Sequence, residues 1–126
     1  MIDQLLFDEA FIVSTSLGYK TYDTLPDLSV SYPFVVLEQV QVVPRGTKSI
    51  MLGNVFMSIS VWCDGDNRGL ASEMMNAILL NCMKISESDG IRFMAVPSGC
   101  GTRMLEDTST GKSLWHGIVE LEFKFA

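Results

Sequence analysis

The stretch from Tyr32 to Cys63, YPFVVLEQVQVVPRGTKSIMLGNVFMSISVWC, constrains this chain most, because it carries two strand patterns joined by an arm too long to be a turn. In the second pattern Val55, Met57, Ile59 and Val61 alternate with Phe56, Ser58, Ser60 and Trp62, the period-2 signature of a strand with one buried face. The first opens at Pro33, whose missing N–H suits a first strand position or an edge. It runs through Val35, Val36 and Leu37, then alternates Glu38, Val40 and Val42 against Gln39, Gln41 and Val43 until Pro44. Between them lies PRGTKSIMLG, about ten residues where a hairpin needs roughly two to five. Arg45 and Lys48 make its base too polar for a core, and Ile50, Met51 and Leu52 make its end too apolar to rest in water. The arm is therefore expected to become ordered against a partner, exchanging conformational entropy for contacts.

The remaining elements follow from periodicity. Ile2, Leu5, Leu6, Ala10, Val13 and Leu17 recur at helical spacing, with Asp3 as the expected N-cap and Gly18 as the stop. Phe7 and Phe11 lie on a neighbouring flank, where a wide core face and a partner surface both call for such residues; the core face is the reading taken. Tyr19 to Ser31 reads as a short extended piece and an irregular connection. A second helix is predicted from about Arg68 to Met83, capped by Asp66 or Asn67, with Leu70, Met74, Ala77, Ile78 and Cys82 inward and Met75, Leu79 and Met83 widening the stripe. SESDG breaks that pattern, Ile91 to Val96 forms a short strand, and PSGCGTRMLEDTSTGKS reads as a second irregular arm, contributing Arg103 and Met104 to the candidate assembly surface. The closing strand sets Trp115, Gly117, Val119, Leu121, Phe123 and Phe125 against His116, Ile118, Glu120, Glu122 and Lys124. The order of elements predicts a single α+β domain over residues 1–126, a mainly antiparallel sheet of about four strands with helices on one face.

Composition narrows the function. A chain of 126 residues buries roughly two-thirds of its unfolded surface, enough for an independent core. Its net charge of -6 provides no global basic field for phosphates, which argues against specific nucleic-acid binding. No apolar run approaches the ~18 residues of a membrane span, and the acidic start MIDQLLFDEAF lacks a basic signal-peptide region, so an intracellular product is expected.

Catalytic and metal motifs fail on inspection. Cys63, Cys82 and Cys100 are odd in number and contain no CxxC pair, fitting free thiols; with His116 the only histidine, a zinc site would need ligands from four separate segments. Asp64 to Gly69 begins like a calcium loop, but Arg68 stands at the fifth place and Met75 at the twelfth. Gly111-Lys112-Ser113 resembles the end of a P-loop, but Glu106 occupies the earlier glycine position and a strand follows where a helix is needed. Cys100 and His116 offer a thiol and a base, yet no pattern brings them together. No cofactor, metal or catalytic residue is therefore assigned.

A helix, then Tyr32-Pro33-Phe34-Val35-Val36-Leu37, a Thr47-Lys48 arm with Gly53, a strand ending Val61-Trp62, a helix after Asn67-Arg68 and a closing His116-Gly117-Ile118-Val119 strand together resemble the small tail-completion, or tail-terminator, proteins of long-tailed bacteriophages. The likeness spans nearly the whole chain and departs where Glu38 and Gln39 follow Leu37 in place of the family's Gly-Glu-like pair. The resemblance implies a structural phage or prophage protein of the virion neck, assembled in the host bacterial cytoplasm. It implies a ring, commonly a hexamer, that caps the head-proximal end of the tail tube, stops tube polymerisation and joins the head connector. Its expected partners are further copies, the tube protein and the connector, and DNA passes through the ring between acidic walls that repel phosphates. Arg45, Lys48, Ile50, Met51, Leu52, Arg103 and Met104 are the candidate interface, since a ring needs two different complementary patches per subunit. The alternatives are a connector-adaptor or tube subunit and, outside the virion, a small cytosolic ligand-binding or thiol-enzyme domain.

Overall fold

The computed structural model describes residues 1–46 and 52–126. In chain order the elements are α1 (Ile2–Ser16), β1 (Thr21–Tyr22), β2 (Phe34–Pro44), β3 (Gly53–Asp64), α2 (Arg68–Cys82), β4 (Glu87–Ser88), β5 (Ile91–Ala95), a 3-10 turn (Pro97–Gly99), β6 (Gly101–Asp107) and β7 (Leu114–Phe125). The α+β class holds, but among the described residues the sheet has seven strands where about four were expected, in the order β1-β2-β3-β7-β5-β4 with β6 also on β7. It is mixed, because β1 runs parallel to β2 while the other pairs are antiparallel.

The β2–β3–β7 ladder forms the spine of the sheet, with β3 paired to β7 from Gly53↔Phe125 to Asp64↔Leu114. Val55, Ile59, Val61, Val119 and Phe123 are fully buried on its helix-facing side, as the alternation predicts. In β2, Leu37 pairs with Ile59 but Val40 with Met57, so one extra residue bulges from the strand. The bulge explains why inward residues are odd-numbered at Val35 and Leu37 and even-numbered at Val40 and Val42: one added residue turns every following side chain over.

The most deeply buried line of α1 is Ile2, Leu6, Ala10 and Ser14, one residue per turn, with Phe7 and Phe11 packed beside the core. Asp3 lies inside the first turn, bonded to the Met1 ammonium at 2.7 Å, and does not act as the cap. Gly18 ends the helix with φ +91°, its N–H donating to the Thr15 carbonyl at 3.0 Å. Ser14 was not foreseen as buried; its hydroxyl shares a 2.7 Å hydrogen bond with Thr21, tying α1 to β1. In α2 the inward residues are Ala71, Met74, Met75, Ile78 and Cys82. Met75 approaches β7 so closely that a Cβ on Gly117 would lie 2.5 Å from its sulfur, so the glycine lets helix and sheet meet.

The second irregular arm is a correction. Its middle, Gly101–Asp107, is the strand β6, which pairs with β7 from Gly101↔Glu120 to Asp107↔Leu114. β5 and β6 share one edge of β7, interrupted by Pro97–Gly99, where proline breaks the ladder. Across the break the Cys100 thiol spans the Glu122 backbone, 3.5 Å from its N–H and 3.7 Å from its carbonyl.

Candidate assembly surface

The arm leaves the sheet where β2 and β3 part. The Arg45 N–H donates to the Leu52 carbonyl at 2.9 Å, continuing the ladder one step beyond Pro44↔Gly53. Gly53 is required there, because a Cβ would stand 2.3 Å from the Val43 carbonyl oxygen. Arg45 Nε then donates to Asn54 Oδ1 at 2.6 Å, and Asn54 Nδ2 to Glu122 Oε2 at 2.9 Å. Asn54 is only 9% exposed, so this chain of polar groups fixes the root of the arm to the central strands. Neither Asn54 nor Glu122 was assigned to the candidate interface in the sequence, where Glu122 was read only as an outward residue of the closing strand.

Arg45 and Leu52 also border an open cleft of about 670 Å³ at this end of the sheet, with Phe93, Met94 and Phe125 on its walls and Arg92 and Lys124 at its rim. Leu52 and Met94 are exposed apolar side chains. Lys48, Ile50 and Met51 of the candidate interface lie outside the described residues.

Arg103 and Met104 do not share one surface. Arg103 pairs with Ile118 on the face away from the helices and is exposed, whereas Met104 pairs with Gly117 on the helix side and packs against the core. On the outward face His116 stacks on Trp62 with ring centroids 3.9 Å apart, and its Nε2 lies 2.8 Å from Ser60 Oγ. Burial lowers the His116 pKa from its usual value; the Asp107 carboxylate opposes this and the Arg103 cation adds to it. Glu120 accepts a 2.7 Å bond from Ser58 on the same face.

Cys100 and His116 do not meet. The thiol is held at Glu122, six positions along β7 from His116, roughly 20 Å at about 3.3 Å per strand residue. Burial pushes the Cys63 thiol up to about 11, with Asp64 adding to the effect, and the Cys82 thiol up to about 12. At neutral pH both are packed thiols. Among the described residues no group of three or more His, Cys, Asp or Glu is placed to hold a metal ion, and no helix is long and apolar enough to cross a membrane.

A single mixed sheet with both helices on one face, and an arm rooted by polar bonds at its end, defines a small α+β domain. Residues 4–80 match the family model for tail completion protein gp17, and the chain belongs to that family. A chain in a solved structure titled "Virion of native gene transfer agent (GTA) particle" has the same fold, with a TM-score of 0.65 at 14% identity over 98% of this chain and 92% of that one. No curated protein matches the sequence. The protein is thus a structural component of a phage tail, found in the virion.

Proposed function

We propose that this protein is the tail terminator: a ring of copies, six by the family resemblance, that seats on the head-proximal end of the tail tube, ends its growth and receives the head connector. The observation that carries this reading is the anchored arm. Its root is held by Arg45, Asn54 and Glu122 while Leu52 faces solvent, so a rigid sheet presents it for docking. Rigid presentation lowers the entropy a contact must overcome. Membership of the tail-completion family supports the location at the tail, where a closed heterologous ring requires two unlike surfaces on each subunit.

The test is complementation of a phage lacking this protein. Lys48→Glu, and separately Ile50→Ser with Met51→Ser and Leu52→Ser, are expected to keep the wild-type circular dichroism and thermal midpoint while yielding no joined particles. Arg45→Glu is expected to do the same with a slightly lowered midpoint, since it also breaks the bond to Asn54. Normal infectious particles from all three would remove the arm from the mechanism, and a collapsed fold would make it part of the core. A tube subunit would instead be incorporated along the whole tail, and a connector-adaptor would remain with heads when tails are absent.

A further inference from the structure

The two ends of the sheet carry surfaces that complement each other. At one end, the cleft between Arg45, Leu52 and Met94 has apolar walls, with Arg45, Arg92 and Lys124 around it. Among the described residues none of these cations closes an ion pair, the one such pair joining the Met1 ammonium to Asp3; Ala126 lines the same cleft, paired through its backbone with Arg92, and Glu122 is linked to Arg45 through Asn54. Glu87 stands opposite Arg92 in the β4–β5 register without closing an ion pair. A chain of net charge -6 therefore gathers three of its nine Lys and Arg residues around one apolar hollow.

At the other end, the connection between β1 and β2 carries the sequence Asp23-Thr24-Leu25-Pro26-Asp27-Leu28. Leu28 is 93% exposed and Leu25 66%, with Asp23 and Asp27 two residues to either side of Leu25 and Asp27 directly before Leu28. Asp27 is held below the usual carboxylate range by hydrogen bonds from the Ser29 hydroxyl and N–H, so it stays ionised. This segment borders a hollow together with Trp62 and Leu114, whereas the cleft lies at Asn54 and Lys124, eight positions along β3, roughly 26 Å at about 3.3 Å per residue. A knob and a socket at opposite ends of one rigid sheet cannot meet within a subunit and are free to meet only between copies, head to tail.

We infer that the Asp23–Leu28 segment of one copy docks in the Arg45–Arg92–Lys124 cleft of the next, Leu25 and Leu28 filling the apolar hollow while Asp23 and Asp27 face the cations. The match is one of sign as well as shape, which selects a partner and its orientation. This inference rests on the ring reading and adds the contact that builds the ring.

Sedimentation equilibrium of the full chain tests it. The wild type is expected to associate beyond a dimer as concentration rises. Leu25→Asp with Leu28→Asp (knob variant) and Arg92→Glu with Met94→Asp (socket variant) are each expected to associate at least tenfold more weakly. An equimolar mixture of the two retains one intact knob and one intact socket, and is expected to stop at dimers. Should either variant melt below the wild type, Asp23→Lys with Asp27→Lys replaces the knob change and Lys124→Glu the socket change. Variants that associate within twofold of the wild type overturn the docking and leave the ring reading standing. A mixture that stays monomeric overturns it likewise. A wild type that remains monomeric at every concentration, including one that binds only an acidic segment of another protein, overturns it as well.

Discussion

Phe123 is the sharpest probe of the sheet, because its substitution and that of its neighbour Glu122 separate the two faces of one strand. Phe123 is fully buried, stands opposite Val55 and Ala95, and meets Phe93 edge-on at 6.2 Å and 80°. Phe123→Ala removes the buried ring and that aromatic contact, an expected cost of about 3–5 kcal/mol. With an m-value of about 2 kcal/mol per molar, the urea midpoint falls by roughly 1.5–2.5 M. From the alternation alone Glu122→Ala, on the wetter face, costs within about ±0.5 kcal/mol. The structure raises that figure, because Glu122 accepts the 2.9 Å bond from the largely buried Asn54 amide. Losing a charged acceptor from a partly buried donor costs about 1–2 kcal/mol. Urea titrations followed by circular dichroism, with Asn54→Ala and the double variant completing a cycle, measure both quantities. Equal costs at positions 122 and 123, or a Phe123→Ala cost below about 1 kcal/mol, would refute the assignment of faces.

Other outcomes follow from local chemistry. Gly53→Ala places a methyl against the Val43 carbonyl and Pro44, so the base of the arm must open, at a cost of about 1–3 kcal/mol measurable by the same titration. His116 has its folded pKa lowered chiefly by burial, so the unfolded chain binds more protons and stability is lost as pH falls below the unfolded value of about 6.5; His116→Gln is expected to flatten thermal-midpoint curves in that window. Cys63 and Cys82 have folded pKa values raised to about 11 and about 12, so the unfolded chain loses protons first and stability declines as pH rises from about 8.5 toward those values. Mass spectrometry after brief iodoacetamide treatment at neutral pH is expected to find Cys63 and Cys82 unmodified in the folded protein and all three cysteines modified in urea, since burial closes the two sites.

What the sequence made legible were the elements whose two faces differ in polarity. β3 and β7 alternate cleanly because one face meets the helices and the other does not, and both were read with the correct inward residues. β6 was missed for the opposite reason: Gly101, Thr102, Arg103, Leu105 and Glu106 are partly or fully exposed on both faces, and backbone pairing with β7 holds the strand without leaving a period. β1 and β4, of two residues each, are too short to carry a pattern. At the candidate surface, the arm was legible through its length and mixed character, while its anchorage was not. The two bonds of the Arg45–Asn54–Glu122 chain join residues 9 and 68 positions apart, and only the strand register brings them together. Met104 shows the same limit, since its inward direction depends on a pairing with Gly117 that the sequence leaves open.

The central claim is that this protein closes the tail tube at the end that receives the head. Cryo-electron microscopy of particles carrying a tagged copy, compared with a lysate from a phage lacking it, tests this most directly. The account predicts one ring of this subunit between tube and connector, and, in its absence, tails of irregular length separated from filled heads. Tag density repeated along the tube, or tails of normal length joined to heads without the protein, would contradict it.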